Sequence, residues 1–413
     1  MAPADAAWLH KDEPNNPADI ILLMTFHASP TLEAVKATVA ERLLRFDPFR
    51  QRVVEIHGRP YWEIDADFKL ENHVVRHDVD SPLTEKMLQE VVADLATGNP
   101  EPERPLWSLH LVRGTNPGGA LVLRVHHCIA DGLALAHAVS LPKHSGDESN
   151  APRGESSRAP NVVTQTGSYA RSLGRLLLVP FGRETVLRQP LIGRRRLAWS
   201  TGYSLEMVKV GARSRGATLN EMFMAALTGA LRRFLAERGQ LVPGRSIGAI
   251  VPVNLRPARR VEDVGDSLGN RFGLFFIGLP VEERSAQARL KTLGQRIRAG
   301  DRLTEASATL EMLKALGRGP AYLDRFMSRF LTRKASVVVS NVPGPRGPVY
   351  FGGKRVREVM FWEPHPGRVS LAMSILTYDG TVRMGARADE GITDDPHRLV
   401  ALFEEELSVL LEG

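Results

Sequence analysis

The chain has 413 residues, of which 43% are hydrophobic and 24% charged, and its formal net charge at pH 7 is +7. This composition is typical of a folded globular protein, and the length suits two domains of about 200 residues each. The sequence has no run of about 18 uninterrupted apolar residues, which argues against a membrane-spanning helix, and its single cysteine excludes an internal disulfide.

The first part of the chain alternates helical and strand patterns. Residues 1–5 lack the basic and apolar regions of a secretion signal, so the cytoplasm is the expected compartment. Hydrophobic periodicity predicts, in chain order, a strand at 19–26, a helix at 31–45, strands within 52–64 and at 71–76, a helix at 84–95, strands at 107–113 and 119–126, and a helix at 131–140. This order indicates a mixed α/β domain over residues 1–140.

A polar and basic stretch follows, and we assign residues 141–200 to a linker or crossover. Residues 141–165 are rich in Pro, Gly, Ser and Asn, which indicates a loop. Nine arginines and two glutamates lie between residues 153 and 196, and the stretch ends in Arg194-Arg195-Arg196. Apolar residues at helical spacing over 169–179 suit an anionic membrane surface, and a solvated segment fits equally well. No nucleic-acid-binding motif accompanies the charge.

The remaining residues, 201–413, predict a second α/β domain. The expected elements are helices at 202–215 and 218–237, strands at 246–253 and 271–279, helices across 283–331, strands at 335–340, 355–363, 369–378 and 381–388, and a helix at 393–411. Tyr378-Asp379-Gly380 has residues typical of a tight hairpin turn.

The most informative feature is the motif His126-His127-Cys128-Ile129-Ala130-Asp131-Gly132. An apolar strand precedes it and an apolar helix follows it, so the fold delivers two histidines into a tight loop. An oriented histidine in a dry environment can take up a proton near neutral pH. Gly132 permits a backbone turn that a side chain would obstruct. The motif therefore predicts a catalytic base.

The string HHxxxDG is shared with the chloramphenicol acetyltransferase superfamily, and the chain as a whole resembles one branch, the bacterial wax ester synthase/diacylglycerol acyltransferases. The matching segments follow the family's order and are Ala7-Trp8-Leu9, 49–52, Pro105-Leu106-Trp107, Asn220-Glu221, 251–256, Gly269-Asn270-Arg271 and 340–345. Asn220-Glu221 departs from the usual Asn-Asp of the family. The resemblance implies two chloramphenicol acetyltransferase-like three-layer domains with an active-site tunnel at their interface.

The resemblance also implies the roles of the two histidines. His127 would remove the proton from an alcohol that attacks an acyl thioester, and no covalent enzyme intermediate is required. His126 points to the other side of the strand and is expected to support the loop. His126, His127 and Asp131 could instead bind a metal ion, but no further ligand cluster with recognisable spacing accompanies them, so we expect no metal site.

Asp131 and Asn220 complete the expected catalytic group. By resemblance, Asp131 pairs with an arginine and holds the loop in shape, in preference to orienting His127, and Arg256 and Arg271 are the candidate partners. Asn220 is the first candidate for a donor to the oxyanion.

The segment around Asn220 also has a structural interpretation. Thr218-Leu219-Asn220-Glu221 predicts a capping box that opens a helix. Both interpretations can hold, because Asn220 would then lie in the first helical turn, where backbone donors are available.

Further residues are assigned to substrate binding or to structural support of the site by the motifs that contain them. Trp107 suits core packing better than substrate contact. Ser340-Asn341 at a strand end could line the site, cross between the domains or form a turn without substrate contact. The set comprises Gly132, Trp107, Asn254, Asn270, Arg271, Ser340 and Asn341.

Gly265-Asp266-Ser267-Leu268-Gly269 matches the nucleophile motif GxSxG of serine hydrolases. That motif requires a strand immediately before it and a helix immediately after it. Residues 259–264 are strongly charged and residues 272–279 read as a strand. We therefore do not expect Ser267 to be a nucleophile.

The family resemblance implies an O-acyltransferase that moves a fatty acyl group from acyl-CoA to a long-chain alcohol, giving a wax ester, or to diacylglycerol, giving triacylglycerol. Acyl-CoA is a co-substrate, and no cofactor is expected. The expected location is cytoplasmic, with peripheral association to the inner membrane or lipid droplets. The alternatives are a carrier-protein-dependent, condensation-type enzyme and a noncatalytic lipid-droplet coat.

Overall fold

The computed structural model describes residues 1–13, 15–141, 174, 185–241, 244, 246–257, 261, 264, 268–367, 369–393 and 395–412. Most helices begin where a Ser, Thr or Asp side chain accepts a backbone N–H of the first turn, as Thr31, Thr84, Ser204 and Ser285 do. The helices are α1 Pro3–Leu9, α2 Leu32–Arg42, α3 Glu85–Leu95, α4 Gly132–Ser140, α5 Leu205–Ser214, α6 Leu219–Ala236, α7 Ala286–Ala299, α8 Arg302–Arg318, α9 Ala321–Thr332 and α10 His397–Glu412.

The strands lie mainly in two sheets, and their apolar residues face helices on at least one side. The strands are β1 Asp19–Phe26, β2 Gln51–Ile56, β3 Arg59–Ile64, β4 Val74–Asp78, β5 Trp107–Arg113, β6 Gly119–His126, β7 Arg195–Trp199, β8 Tyr203–Ser204, β9 Ile247–Asn254, β10 Phe272–Leu279, β11 Val337–Pro343, β12 Tyr350–Phe351, β13 Lys354–Arg355, β14 Glu358–Trp362, β15 Leu371–Tyr378 and β16 Thr381–Asp389.

The first sheet has the strand order β14-β1-β6-β5-β4. Its edge strand β14 comes from the second half of the chain and pairs antiparallel with β1. Gly385 of β16 makes a close approach possible here, because a Cβ at this position would lie 2.7 Å from Nε1 of Trp362 in β14. Glu363 directly follows Trp362 and lies beside His127, the residue after β6.

The second sheet has the order β10-β9-β11-β15-β16-β7, and β8 pairs with β16. The largest hydrophobic cluster joins this sheet to α6, α7 and α10. The β15–β16 connection is the expected hairpin turn: Asp379 and Gly380 have φ values of 45° and 75°, the left-handed geometry that such turns need. The mixed α/β prediction is confirmed.

Two elements cross the boundaries at residues 140 and 200 that the sequence suggested for the domains. Strand β14 joins the first sheet, and β7 joins the second. The N-terminal helix α1, which we did not predict, packs on α8, where Gly317 lets the backbone of Pro3 approach. The division into 1–140, 141–200 and 201–413 stays a prediction.

Arg194, Arg195 and Arg196, at the end of the basic stretch, are all paired with acidic residues, and binding of this stretch to a membrane surface stays a prediction. Arg195 is buried and bound to Asp389, Asn16 and the carbonyl of Asn15. Arg194 and Arg196 both pair with Glu390. The apolar segment 169–179 lies outside the described residues, save for Gly174. Within the described residues, each helix is too short or too polar to cross a bilayer.

Candidate active site

His127 stands directly after β6, at the end of the first sheet. Its backbone N–H donates to the carbonyl of Ala18 over 2.7 Å, which fixes the start of the loop. The ring is buried and stacks on the indole of Trp8, with a centroid separation of 4.1 Å and an interplanar angle of 9°. Trp8 belongs to α1, so the N-terminal helix forms one wall of the site.

Asn270 holds His127 from the other half of the chain. Its Nδ2 donates to the carbonyl of His127 over 2.7 Å and to Oδ1 of Asp5 over 2.8 Å. Oδ1 of Asn270 is therefore the acceptor that faces Nδ1 of His127, at 2.8 Å. Nδ1 must carry the hydrogen of the neutral ring, so Nε2 has the free lone pair.

Asp5 supports this arrangement through its hydrogen bonds with Asn270. Its Oδ1 also accepts the backbone N–H of Asn270 over 2.9 Å. Burial raises the pKa of Asp5, and the hydrogen bonds from Asn270 oppose that change. Asp5, Asn270 and His127 thus form a chain of hydrogen bonds that orients the imidazole.

Glu363 faces the other ring nitrogen of His127. Its Oε2 lies 3.3 Å from Nε2, and its Oε1 accepts a hydrogen bond from the Ser340 hydroxyl over 3.1 Å. Its backbone N–H donates to Oγ of Ser374. These contacts hold the Glu363 carboxylate in a fixed position beside Nε2 of His127.

Asp131 connects the HHxxxDG loop to the second half of the chain. Its Oδ1 accepts the Ala134 N–H at the start of α4, and its Oδ2 accepts Nη2 of Arg256 over 2.9 Å and the backbone N–H of Arg271 over 3.0 Å. Of the two arginines considered from sequence, Arg256 supplies the guanidinium. No described hydrogen bond joins Asp131 to the His127 ring.

His126 points away from His127. Its Nε2 lies 3.0 Å from both carboxylate oxygens of Asp12, and its Nδ1 accepts the backbone N–H of Cys128. These contacts tie the loop to the turn after α1. Among the described residues, no group of three or more His, Cys, Asp or Glu side chains could hold a metal ion.

Three cavities that share lining residues lie in this region, and His127 lines the central one. The central cavity is lined by His127, Asp131, Asn254, Ser340 and Asn341, among others. The second, which we call the Trp8 cavity, shares Pro252, Phe272 and Glu363 with the central one and is otherwise mostly apolar. The third, the Tyr378 cavity, shares Gly132 and Val342 with it and is almost entirely apolar.

Lys11 brings a charge into the Trp8 cavity. Its ammonium lies 4.1 Å from the centroid of the Trp8 ring, on which His127 also stacks. Burial lowers the pKa of Lys11 to about 8, and the buried Asp324 opposes that change. Apolar sequence patterns gave no signal for this buried charge.

Asn220 does not reach His127 through any described hydrogen bond. It lies in the first turn of α6, where Thr218 and Glu221 form the predicted capping box. Its Oδ1 accepts a hydrogen bond from Nδ2 of Asn341 over 3.4 Å. Asn341 lines the central cavity, so Asn220 is one residue removed from it.

The remaining predicted residues fall into two groups. Trp107 lies in the core of the first half, where its Nε1 donates to the carbonyl of Phe49 and His73 stacks on it. Gly132, Asn254, Ser340 and Asn341 line the central cavity, whereas Asn270 and Arg271 act by the contacts described above. Ser267 lies outside the described residues.

Sequence reasoning missed Asp5 and Glu363. Glu363 follows an apolar strand and precedes Pro364, so a polar residue at a strand end was an available signal. Asp5 has no such signal, because only the packing of α1 brings it under Asn270.

Comparison with known families gives two matches along the chain. Residues 1–174 match the wax ester synthase/diacylglycerol acyltransferase catalytic domain, and residues 268–410 match the WS/DGAT C-terminal domain. Two curated relatives are from Mycobacterium tuberculosis. The probable diacylglycerol O-acyltransferase Tgs1 is 25% identical, with 93% of this chain and 89% of the relative covered. The probable diacylglycerol O-acyltransferase Tgs2 is 27% identical, with 99% and 98% covered.

Solved structures show the same fold. The wax ester synthase/diacylglycerol acyltransferase of Marinobacter aquaeolei VT8 superposes with a TM-score of 0.73 at 22% identity, covering 99% of this chain and 98% of the other. The starter condensation domain of rhizomide synthetase, solved with C8-CoA, has a TM-score of 0.66 at 15% identity, with 100% and 94% covered. The expected chloramphenicol acetyltransferase-like fold is thereby confirmed.

Proposed function

We propose that His127 is the general base in the transfer of an acyl group from acyl-CoA to an alcohol, the O-acyltransferase reaction of the wax ester synthase/diacylglycerol acyltransferase family to which the chain belongs. The observation that supports this role best is the contact between Nδ1 of His127 and Oδ1 of Asn270. It puts the lone pair of the neutral ring on Nε2, the nitrogen that takes up the substrate's proton in this proposal. His127 itself lines the central cavity, where an alcohol and a thioester can meet.

In the proposed reaction, Nε2 of His127 takes the proton of the acceptor hydroxyl while its oxygen attacks the thioester carbonyl carbon. The tetrahedral intermediate then expels the thiolate of coenzyme A, and the imidazolium returns the proton to that sulfur. The products are the ester and free coenzyme A. The thioester is already activated, so the reaction needs no additional cofactor.

Glu363 has a defined part in this scheme. When His127 has taken the proton, its ring is a cation, and the carboxylate 3.3 Å from Nε2 stabilises it. The Ser340 hydroxyl holds the other carboxylate oxygen in place. Glu363 is therefore a positioning residue that acts through His127.

The oxyanion of the tetrahedral intermediate needs a donor. We assigned this role to Asn220 from sequence, but its contact to the central cavity runs through Asn341. We propose that the pair acts together, with Asn220 fixing the Asn341 carboxamide. A preorganised donor of this kind contributes roughly 3–4 kcal/mol to lowering the barrier.

The apolar cavities support fatty substrates. The Trp8 and Tyr378 cavities adjoin the central cavity through different residues, Phe272 in one case and Gly132 in the other. Two hydrocarbon chains, one from the acyl group and one from the acceptor, could each occupy one of them. We therefore propose a long-chain alcohol or diacylglycerol as the acceptor, and peripheral association with the inner membrane or lipid droplets, where such acceptors reside.

The test is a transfer assay with purified full-length protein. Long-chain acyl-CoA is offered with a panel of fatty alcohols and diacylglycerols, and ester formation and coenzyme A release are measured together. We expect both products in equal amounts, and a loss of at least roughly 10²-fold in His127→Ala. His77→Ala serves as the matched control, because His77 lies on β4, two strands away from β6 in the first sheet.

Two results would contradict this function. Transfer from an acyl carrier protein without turnover of free acyl-CoA would support the condensation-type alternative. Near-normal turnover in a folded His127→Ala protein would remove His127 from the mechanism.

A further inference from the structure

Helix α9, residues Ala321–Thr332, exposes large apolar side chains to solvent. Tyr322, Leu323 and Phe326 are 72%, 41% and 66% exposed. Phe326 is four residues after Tyr322 and three residues after Leu323, so the three side chains share one side of the helix. A contiguous exposed patch of this kind, which holds two aromatic rings, marks an interaction surface.

The same side of α9 is basic. Arg325 and Arg329 are exposed on the helix, and Arg318 is exposed at the end of α8, just before α9 begins. The acidic residue of the helix, Asp324, is fully buried and faces inward. Arg329 also pairs with Glu13, yet more than half of its side chain remains exposed. The outward face therefore combines aromatic rings with positive charge.

The inward face of α9 lines the Trp8 cavity. Asp324, Ser328, Leu331 and Thr332 contribute to its wall, and the same cavity is lined by Trp8 and Glu363, which both contact His127. One helix thus separates the outer surface from a cavity that leads to the site.

We propose that the outer face of α9 binds an anionic lipid surface and places the Trp8 cavity at that surface. Aromatic side chains with flanking arginines are the composition of helices that lie in the headgroup region of anionic membranes. An acidic patch on a partner protein would complement the charge of the arginines, but it would not require three large apolar side chains to be exposed to solvent. The use of the Trp8 cavity by a substrate rests on the proposed function, whereas the lipid contact itself does not.

Two variants test the two halves of this surface. Tyr322→Ser with Phe326→Ser removes the aromatic rings, and Arg318→Gln with Arg325→Gln removes charge without touching the Arg329–Glu13 pair. The control is Met207→Ser with Val210→Ser on α5, where the side chains are 65% and 56% exposed. The basic neighbours of that control patch, Lys209 and Arg213, are both paired with Glu206.

Binding is measured by flotation with vesicles of phosphatidylcholine, with and without phosphatidylglycerol, at low and high salt. We expect the wild type and the α5 control to float with the anionic vesicles. The aromatic variant should lose at least about tenfold in binding, and the arginine variant about fivefold per residue, with the loss restricted to low salt. All variants should keep the melting temperature and the turnover of a water-soluble short-chain alcohol.

Failure of this inference and failure of the proposed function give different results. Equal vesicle binding by the wild type and the aromatic variant, or no binding by the wild type, overturns the lipid surface even when turnover is normal. Self-association that the aromatic variant abolishes, without vesicle binding, assigns the face to a second copy and also overturns it. Vesicle binding that depends on α9 in a protein without transferase activity supports the surface and contradicts the function.

Discussion

Asn270 forms two hydrogen bonds with His127: its Nδ2 donates to the backbone carbonyl over 2.7 Å, and its Oδ1 accepts from Nδ1 over 2.8 Å. The two residues are 143 positions apart in sequence and lie on opposite sides of the junction between the two halves. This contact determines which nitrogen of the imidazole can act as a base. It also means that the base is correctly oriented only when both halves are assembled.

Asn270→Ala should therefore lower kcat by about tenfold to a hundredfold, part of the 10²–10⁴-fold that a positioned base contributes. The ring loses the acceptor that selects its tautomer, whereas the cavity walls stay in place. Steady-state kinetics with KM and kcat measured separately check this. Asn116→Ala is the control, because Asn116 holds the Leu83 turn away from the site. An unchanged kcat would contradict the role of Asn270.

Asp131→Ala should lower the free energy of unfolding by about 3–5 kcal/mol, because it leaves the buried Arg256 without its carboxylate. Asp131→Asn keeps the cap of α4 and should lose about 1 kcal/mol less. Adding Arg256→Met to Asp131→Ala should recover part of the loss. Urea unfolding of the three variants measures these values. Unchanged unfolding with lost turnover would instead indicate that Asp131 orients His127.

Glu363→Gln should lower turnover by about tenfold, because a hydrogen bond to a charged group is worth about 1.5–3 kcal/mol and the amide cannot stabilise the imidazolium equally well. The loss should appear in kcat, with little change in KM. Glu358→Gln is the control, because Glu358 lies on the same segment and pairs with Arg357 and Arg383, away from His127. Equal activity of both variants would argue against the proposed part of Glu363.

The Gly132→Ala variant should discriminate against substrates with long hydrocarbon chains. A Cβ at this position would lie 2.8 Å from Cζ of Phe361 and 3.3 Å from Cγ2 of Val342, where the central and Tyr378 cavities meet. The ratio of kcat/KM for long-chain to short-chain substrates should fall, for whichever substrate uses the Tyr378 cavity. Adding Phe361→Leu should restore the ratio. A uniform loss over all chain lengths would show that Gly132 serves the loop conformation only.

Lys11 gives a pH-dependent prediction for stability. Its pKa is about 8 in the folded chain and has an ordinary value of 10.5. Between these values the unfolded chain binds the additional proton, so the stability of the wild type should rise with pH relative to Lys11→Met, by at most about 1.4 kcal/mol per pH unit. Urea unfolding at several pH values measures the difference, with Lys69→Met, an exposed lysine, as the control. A difference that is independent of pH would contradict the burial of a titrating Lys11.

Much of the fold was predictable from local patterns. Strand β6 and the helix after it are strongly apolar, and Asp379-Gly380 is a residue pair that tolerates positive φ, so these elements appear where they were expected. Helix α1 was missed because it has two turns and its burial comes from α8, more than 290 residues away along the chain. The burial of Arg195 was missed for the same reason, since Asp389 lies on another strand of the second sheet.

The sequence by itself determined a family resemblance, which implies an O-acyltransferase, and the position of His127 in a loop after a buried strand, because the HHxxxDG motif and its flanking apolar runs are local in the chain. Only the tertiary structure decided the partners of that histidine. Asn270, Trp8 and Glu363 come from three distant segments, and hydrophobic burial, which has no directional preference, brings them together without a periodic signature. The choice of Arg256 over the Arg271 side chain for Asp131 depends on the same assembly.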